Sequence, residues 1–139
     1  MVISQQHKNN YKKLLRGLIY FSIFSLPLSI AGANISSGLL FLAFIPSIFI
    51  FDLNLFEGRY NKSIFAFLII ILLSSIWAYD SANVIEKFIS PVLQYVVLYY
   101  AIINFIEEEN QLKTVISIFW IFTFISAAYG GYQYFILGV

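Results

Sequence analysis

The chain has 139 residues, of which 60% are hydrophobic, 19% are aromatic and 11% are charged, and its mean hydropathy is +0.84. A water-soluble domain of this size could hardly cover so much apolar surface with polar side chains. The net charge of +1 gives no indication of nucleic-acid binding, and the lack of cysteine excludes disulfide bonds and thiolate metal sites.

Four long runs of the sequence contain no Asp, Glu, Lys or Arg: residues 17–51, 63–79, 88–106 and 114–139. Runs about as long as a bilayer is thick indicate that lipid solvates the middle of each element. A lipid-facing backbone must satisfy its own hydrogen bonds, and the runs show no alternation of polar and apolar residues, so helices are expected and barrel strands are not. The sequence therefore predicts an all-α, polytopic membrane protein.

The first run is too long for one crossing, because a helix over residues 17–51 would reach about 50 Å at 1.5 Å per residue. We expect a short helical hairpin that turns within residues 31–38, where Ala31, Gly32, Asn34 and Gly38 are found. With this hairpin every basic residue except Lys87 falls on one side of the membrane, and the excess of Lys and Arg marks that side as the cytoplasm.

The resulting map has five transmembrane helices in one domain, residues 1–139. They are predicted over residues 14–31, 34–51, 62–79, 82–106 and 110–137. The N-terminus would lie in the cytoplasm and the C-terminus outside.

The fourth predicted helix has one face that is polar or small along its whole length. Its members, at steps of three and four residues, are Lys87, Ser90, Gln94, Val97, Ala101 and Asn104. Unpartnered polar side chains are costly in hydrocarbon, so this face should contact protein or a hydrated cavity. Interhelical packing and a polar path or substrate groove are both consistent with the pattern.

The outer end of the third predicted helix leads into Asp80, Glu86 and Lys87. Asp80 or Ser81 is well placed to cap the fourth helix, and the three charged groups could instead meet a headgroup or a sugar. The candidate residues for a polar face or a contact with a glycan lipid are Asp80, Glu86, Lys87, Ser90, Gln94 and Asn104. No residue is assigned to catalysis, to a cofactor or to a metal.

Several smaller features are expected to be structural. Pro27 and Pro46 would kink the first two helices from within. In the fifth helix the Ser126 and Gly130 pair would let another helix approach closely, and the two glycines at 130–131 could alternatively break the helix. The acidic residues 107–109 are expected to form a solvated turn, with Asn110 as the helix cap.

Motifs of soluble enzymes are missing from the sequence, but the order of its landmarks resembles the N-terminal part of the O-antigen ligase and O-antigen polymerase-like family. The residues that carry the resemblance are FSLPLSI at 24–30, NISSGLL at 34–40, LSSIWAYD at 73–80 and YGGYQY at 129–134. The resemblance covers essentially the whole chain.

This resemblance implies a role in transferring or polymerising glycans that are carried on polyprenyl diphosphate, in the inner membrane of a bacterium. It implies no metal or nucleotide cofactor. The family's proposed catalytic residues belong to a C-terminal loop region, so none is transferred to this chain. We expect the chain to be an N-terminal fragment of a protein with about ten to twelve transmembrane helices, inactive alone, with membrane lipid, the glycan lipid and the missing C-terminal half as partners.

Two other classes of function remain open. A non-enzymatic scaffold or accessory subunit would use the Ser126 and Gly130 face to dock a partner helix. A small oligomeric transporter would need the polar face of the fourth helix to line a pathway.

Overall fold

The computed structural model describes residues 4–55, 61–76 and 90–137, and this part of the chain is helical, without a β-strand. The helices are α1 (Gln5–Ser25), α2 (Ile30–Phe51), α3 (Asn61–Ile76), α4 (Ser90–Phe105) and α5 (Glu109–Tyr132), and α5 continues into a π-helical segment, Gln133–Leu137. The predicted all-α fold class is confirmed.

The first two helices form the predicted hairpin, but its turn lies earlier than residues 31–38. Helix α1 ends at Ser25 and α2 begins at Ile30, so the connection is residues 26–29. Pro27 therefore lies in the turn, and its predicted place inside the first helix is wrong. Helix α1 also begins at Gln5, well before the predicted residue 14.

Local chemistry explains the position of this turn. Proline lacks the N–H that a continuing helix would need, and Ser29 has an extended backbone and accepts a long hydrogen bond of 3.4 Å from the Gly32 N–H through its hydroxyl. Gly32 is not a helix breaker here. A Cβ added at Gly32 would lie 3.5 Å from the Cβ of Ser25, an ordinary contact distance, so Gly32 lies against the end of α1 with room for a methyl group but not for a large side chain.

Helix α2 contains Pro46 within it, as predicted, and ends at a left-handed residue. Asp52 has φ of 53°, and the Leu53 N–H returns to the Ile48 carbonyl at 3.0 Å. This geometry satisfies a carbonyl of the last turn and stops the helix.

The core lies between α1, α2 and α4, with a smaller contribution from α5. Its buried apolar side chains are Leu15, Ile19, Ile23, Leu40, Phe44, Val97, Tyr100, Ala101, Phe105 and Val115. The Phe105 ring meets those of Phe44 and Phe51 edge to face, at centroid distances of 6.5 and 5.4 Å. These contacts pack the last residue of α4 against the second half of α2.

The start of α1, the end of α2 and the end of α4 meet at one end of the bundle. The Tyr11 hydroxyl donates to the Ala43 carbonyl at 2.6 Å, and the Tyr11 and Phe51 rings lie 6.3 Å apart. Arg16 reaches the last residue of α4 by donating from Nε to the Phe105 carbonyl at 2.7 Å. We call this the basic end, after Lys8, Lys12, Lys13 and Arg16 of α1.

The later helices agree with the predicted map where they are described. Helix α3 begins one residue before the predicted position 62, and α5 begins one residue before 110. Residues 77–89 lie outside the described part of the chain. The predicted outer end of the third helix and the predicted start of the fourth at residue 82 therefore fall outside it as well.

Within the described residues, two helical segments are long and apolar enough to cross a membrane: Ile30–Phe51 and Glu109–Ile136. Two shorter apolar segments, Asn61–Ile71 and Pro91–Phe105, belong to α3 and α4. Length and composition thus give weak support for a membrane protein. The total of five transmembrane helices stays a prediction.

Candidate functional site

The six candidate residues are divided between described and undescribed parts of the chain. Asp80, Glu86 and Lys87 lie outside the described residues, and so does the predicted capping of the fourth helix by Asp80. Ser90 is the first described residue of α4, and Gln94 and Asn104 follow along the same helix. The described part of the site therefore extends from Gln94 to Asn104.

Gln94 joins α4 to α2. Its Nε2 donates a long hydrogen bond of 3.4 Å to Oδ1 of Asn34, near the start of α2. Gln94 is half-buried and Asn34 is exposed, so the contact lies at the edge of the helix interface. A pair of amides that satisfy each other is a typical way to place polar groups between apolar helices.

Further along the face, small and apolar residues turn towards the core. Val97 and Ala101 are buried, with Ala101 fully inaccessible to solvent. Asn104 donates from Nδ2 to the Tyr100 carbonyl of its own helix at 2.8 Å. This arrangement supports the packing interpretation for this part of the polar face.

The opposite side of α4 borders a cavity of about 330 Å³ next to α3. Its lining is apolar and aromatic, and consists of Ile64, Phe67, Val92, Tyr95, Val96 and Tyr99. The Tyr99 hydroxyl does not serve the cavity, because it donates a long hydrogen bond of 3.5 Å to Oδ1 of Asn61. The cavity offers room for a flexible apolar chain and few polar groups to orient one.

The basic end carries an ion cluster that the sequence analysis missed. Glu107, in the connection between α4 and α5, accepts from Lys12 Nζ at 2.5 Å and from Arg16 Nη2 at 3.0 Å. All three glutamates are exposed, as the predicted solvated turn requires, but Glu109 is already the first residue of α5, and the N-cap position is Glu108, not Asn110. Glu107 also ties that connection to α1.

The cluster changes the acidity of Glu107. The hydrogen bond from Lys12 holds the pKa of the Glu107 carboxyl below its ordinary value of 4.5; partial desolvation opposes this effect, and the charges of Lys12 and Arg16 add to it. Glu107 therefore stays ionised at neutral pH. Its carboxylate balances one of two neighbouring cations, so this part of the basic end keeps a net positive charge.

A clue to the cluster was present in the sequence. Lys12 and Arg16 are four residues apart, which places them on the same face of a helix, and the five-helix map puts both on the same side of the membrane as residues 107–109. Only the contact of α1 with α4 shows that Glu107 is the acidic residue they bind.

The interface of α1 with α2 is rich in buried serine, at Ser22, Ser25, Ser36, Ser37 and Ser47. Ser36 and Ser47 donate to carbonyls of their own helix, those of Ala33 at 3.1 Å and Phe44 at 2.6 Å. These two satisfied serines allow the backbones to pack closely without apolar bulk, whereas the Ser22 hydroxyl is buried with no hydrogen-bond partner among the described residues.

Helix α5 is largely uncovered. Phe24 of α1 meets Phe122 edge to face at 4.4 Å, but Val115 is the buried residue of α5 in the structure as described. A Cβ at Gly130 or Gly131 would meet nothing within 4 Å among the described residues. The alternative of a helix break at these glycines is not observed, because the α-helix continues to Tyr132. The predicted docking face has no partner helix in this part of the chain.

In the described ranges, no three His, Asp or Glu side chains come together as a metal site would require. Comparisons with family models, with curated proteins and with solved structures find no match for this chain.

Proposed function

We propose that this chain is a polytopic protein of a bacterial inner membrane, with five transmembrane helices and a cytoplasmic N-terminus. The observation that carries the proposal is the bare apolar surface of α5, where Phe124 is 77% exposed and Phe135 of the following segment is 82% exposed. A water-soluble monomer rarely leaves such a continuous apolar surface open, whereas acyl chains solvate it without cost.

The contacts at the basic end support the proposed orientation. A five-helix map requires the start of α1, the end of α2 and the end of α4 to share the cytoplasmic side. These three helix ends are brought together by the ring contact of Tyr11 with Phe51 and by the hydrogen bond from Arg16 to the Phe105 carbonyl. The four basic residues of α1 lie at the same end, in agreement with the cytoplasmic excess of Lys and Arg in membrane proteins.

Single-cysteine labelling tests the topology directly, because the chain has no cysteine of its own. In intact cells, Lys87→Cys should react with a membrane-impermeant maleimide. Lys113→Cys should react only after the membrane is made permeable. Labelling of Lys113→Cys in intact cells, or release of the protein from membranes by alkaline carbonate, contradicts the proposal.

We further propose that the chain serves the transfer or polymerisation of glycans carried on polyprenyl diphosphate, as the N-terminal membrane region of an O-antigen ligase or polymerase-like protein. The support is the resemblance of its landmarks to that family. The apolar cavity beside α3 and α4 is in keeping with an isoprenoid chain, because its lining is almost wholly apolar. No residue of the chain is proposed to catalyse the transfer.

Binding of a polyprenyl diphosphate-linked oligosaccharide to the protein in nanodiscs tests this role. Saturable binding is expected, and Tyr95→Ala, which opens the cavity wall, should weaken it. Tyr129→Ala is the matched control, because Tyr129 is about as exposed as Tyr95 but lies on α5, away from the cavity. Binding no greater than to empty nanodiscs, or equal loss in both variants, contradicts the role.

The uncovered small-residue face of α5 favours a second candidate function, a scaffold or accessory subunit that docks a partner helix. Gly130→Leu should then abolish the isolation of a stoichiometric membrane partner. Ala128→Leu, on another side of the same helix, should leave that partner bound. Equal recovery of the partner with both variants contradicts the scaffold.

A further inference from the structure

A second cavity, of about 310 Å³, lies at the basic end beside α1 and the end of α2, and is lined by His7, Asn10, Tyr11, Leu14 and Ile50. We propose that this cavity binds one anionic phospholipid of the cytoplasmic leaflet. The inference rests on the membrane placement proposed above and is independent of any role in glycan transfer.

The lining of the cavity has a polar side and an apolar side. His7 and Asn10 are exposed, and their imidazole and amide groups can donate hydrogen bonds to phosphate or glycerol oxygens. Leu14 and Ile50 supply an apolar floor. Tyr11 is a wall and not a ligand, because its hydroxyl already donates to the Ala43 carbonyl.

The charge around the cavity selects an anion. Helix α1 carries four basic residues and no acidic one. Lys12 and Arg16 form ion pairs with Glu107, whereas Lys8 and Lys13 make no ion pair with another described residue. Asp52, two residues after Ile50, is the one acidic residue among the described residues at the adjoining end of α2. A positive excess therefore remains beside the cavity.

Of the two lysines unpaired among the described residues, Lys13 is the exposed one, whereas Lys8 is half-buried. Lys13 follows Asn10 by three residues, so the two lie on neighbouring parts of the helix surface. Lysine near a membrane surface contributes about 1 kcal/mol to the attraction of anionic lipid.

The same side of α1 offers a path for an acyl chain. Leu14 and Phe21 are exposed, and Gly17 between them would meet nothing within 4 Å if it carried a Cβ. The three residues follow at spacings of three and four, so they line one side of the helix. The glycine leaves a shallow notch that runs from the cavity towards the middle of the proposed membrane.

Native mass spectrometry of the purified protein in detergent tests the proposal. The probes are phosphatidylglycerol, phosphatidylcholine and free glycerol 3-phosphate at matched concentrations. One phosphatidylglycerol should bind per chain in preference to phosphatidylcholine, and glycerol 3-phosphate should not compete. Competition by glycerol 3-phosphate would assign the cavity to a soluble phosphate and overturn the lipid proposal.

Two charge-removing variants make the test specific. Lys13→Gln should lower the affinity for phosphatidylglycerol by about fivefold, the equivalent of one lysine at a membrane surface. Lys113→Gln removes an equal charge at a lysine that pairs with Glu109 at 2.8 Å on α5, and should change the affinity by less than about twofold. An equal loss of affinity in both variants would show that the lysines act only through general electrostatic attraction to the lipid, and would overturn the proposed site.

Asn10→Leu and Gly17→Leu probe the two halves of the lipid separately. Asn10→Leu should weaken the preference for phosphatidylglycerol over phosphatidylcholine, and Gly17→Leu should lower the binding of both lipids by filling the notch. Unchanged binding in both variants overturns the site. A protein that resists carbonate extraction but shows no preference for anionic lipid overturns this inference alone, whereas release by carbonate overturns the proposed function.

Discussion

Arg16, in the middle of α1, donates from Nε to the carbonyl oxygen of Phe105, the last residue of α4, at 2.7 Å. The last carbonyls of a helix have no partner within the helix, so a side chain from another element that reaches one of them acts as a cap. The same guanidinium donates from Nη2 to Glu107, two residues later. One arginine therefore fixes both the end of α4 and the start of its connection to α5.

Replacing this arginine by lysine should destabilise the bundle although the charge is kept. An ammonium group is a compact donor and cannot reproduce the fixed fork that meets a carbonyl and a carboxylate together. We expect Arg16→Lys to lower the free energy of unfolding by ~1 kcal/mol, the net value of one hydrogen bond. Thermal unfolding in detergent, followed by circular dichroism, measures this loss. Lys13→Gln should unfold like the wild type, and an unchanged Arg16→Lys midpoint would show that the cap contributes nothing.

Glu107 should matter more than its neighbour Glu109. Glu107 is shared by two cations from a distant helix, whereas Glu109 pairs with Lys113 within one exposed turn of α5. Because Glu107 is half exposed, solvent screens the cluster, and Glu107→Gln should cost only ~0.5–1 kcal/mol. Glu109→Gln should cost less than about 0.5 kcal/mol in the same assay. Equal effects of the two substitutions would argue against the link between α1 and the α4–α5 connection.

The pH dependence of stability follows from the lowered pKa of Glu107. Folding favours the carboxylate, so the stabilisation is fully present above the ordinary pKa of 4.5 and is lost as the pH falls through the lower folded-state value. We expect the difference in unfolding midpoint between the wild type and Glu107→Gln to be constant from neutral pH down to about pH 5 and to shrink below pH 4. A difference that grows on acidification would contradict the direction of the shift.

The sequence predicts the features that depend on local pattern, such as the faces of a helix. It does not predict the features that depend on contacts between distant residues. Helical spacing correctly grouped Val97 and Ala101 on one face of α4, and both are buried. The sequence pattern places the hairpin turn too late, because Gly32 is typical of a turn, whereas in the structure it packs within α2 beside Ser25. A glycine in a turn and a glycine packed inside a helix look the same in the sequence, and only the contact with a second helix distinguishes them.

The ion cluster illustrates the same limit for the candidate site. Lys12 and Glu107 are 95 positions apart, and no local pattern relates them. Residues 107–109 looked equally solvated in the sequence, since a run of three glutamates gives no reason to single out the first. The packing of α1 on α4 separates Glu107 from the other two.

Ala101 offers a test of the packed α4 face. It is fully inaccessible among core side chains, so Ala101→Leu must displace neighbours in α1 or α2. Overpacking of this kind costs roughly 1–3 kcal/mol. Ala127→Leu makes the same change at an exposed position of α5 and should leave the unfolding midpoint nearly unchanged. A pathway-lining role for this face would be favoured instead if Ala101→Leu were tolerated as well as Ala127→Leu.

Two substitutions at Gly32 distinguish the effect of side-chain size on helix packing from the effect of glycine on backbone entropy. A Cβ at this position would stand at ordinary contact distance from Ser25 and Ser29, 3.5 and 3.6 Å from their Cβ atoms. Gly32→Ala should therefore be accommodated and should raise the free energy of unfolding by roughly 0.5–1 kcal/mol, because alanine loses less backbone entropy in a helix. Gly32→Leu should instead push α1 from α2 and lower it by roughly 1–3 kcal/mol.

Gly130 is the matched position on α5, where a new side chain would meet nothing within 4 Å among the described residues. Gly130→Leu should be neutral or mildly stabilising for the isolated protein, since it gains helix propensity without a clash. Opposite effects of leucine at the two glycines in one detergent unfolding assay would show that the close approach of α1 and α2 begins at Gly32. If leucine at 32 were as harmless as at 130, the glycine would be dispensable for the hairpin, and the turn at residues 26–29 would depend on Pro27 and Ser29 alone.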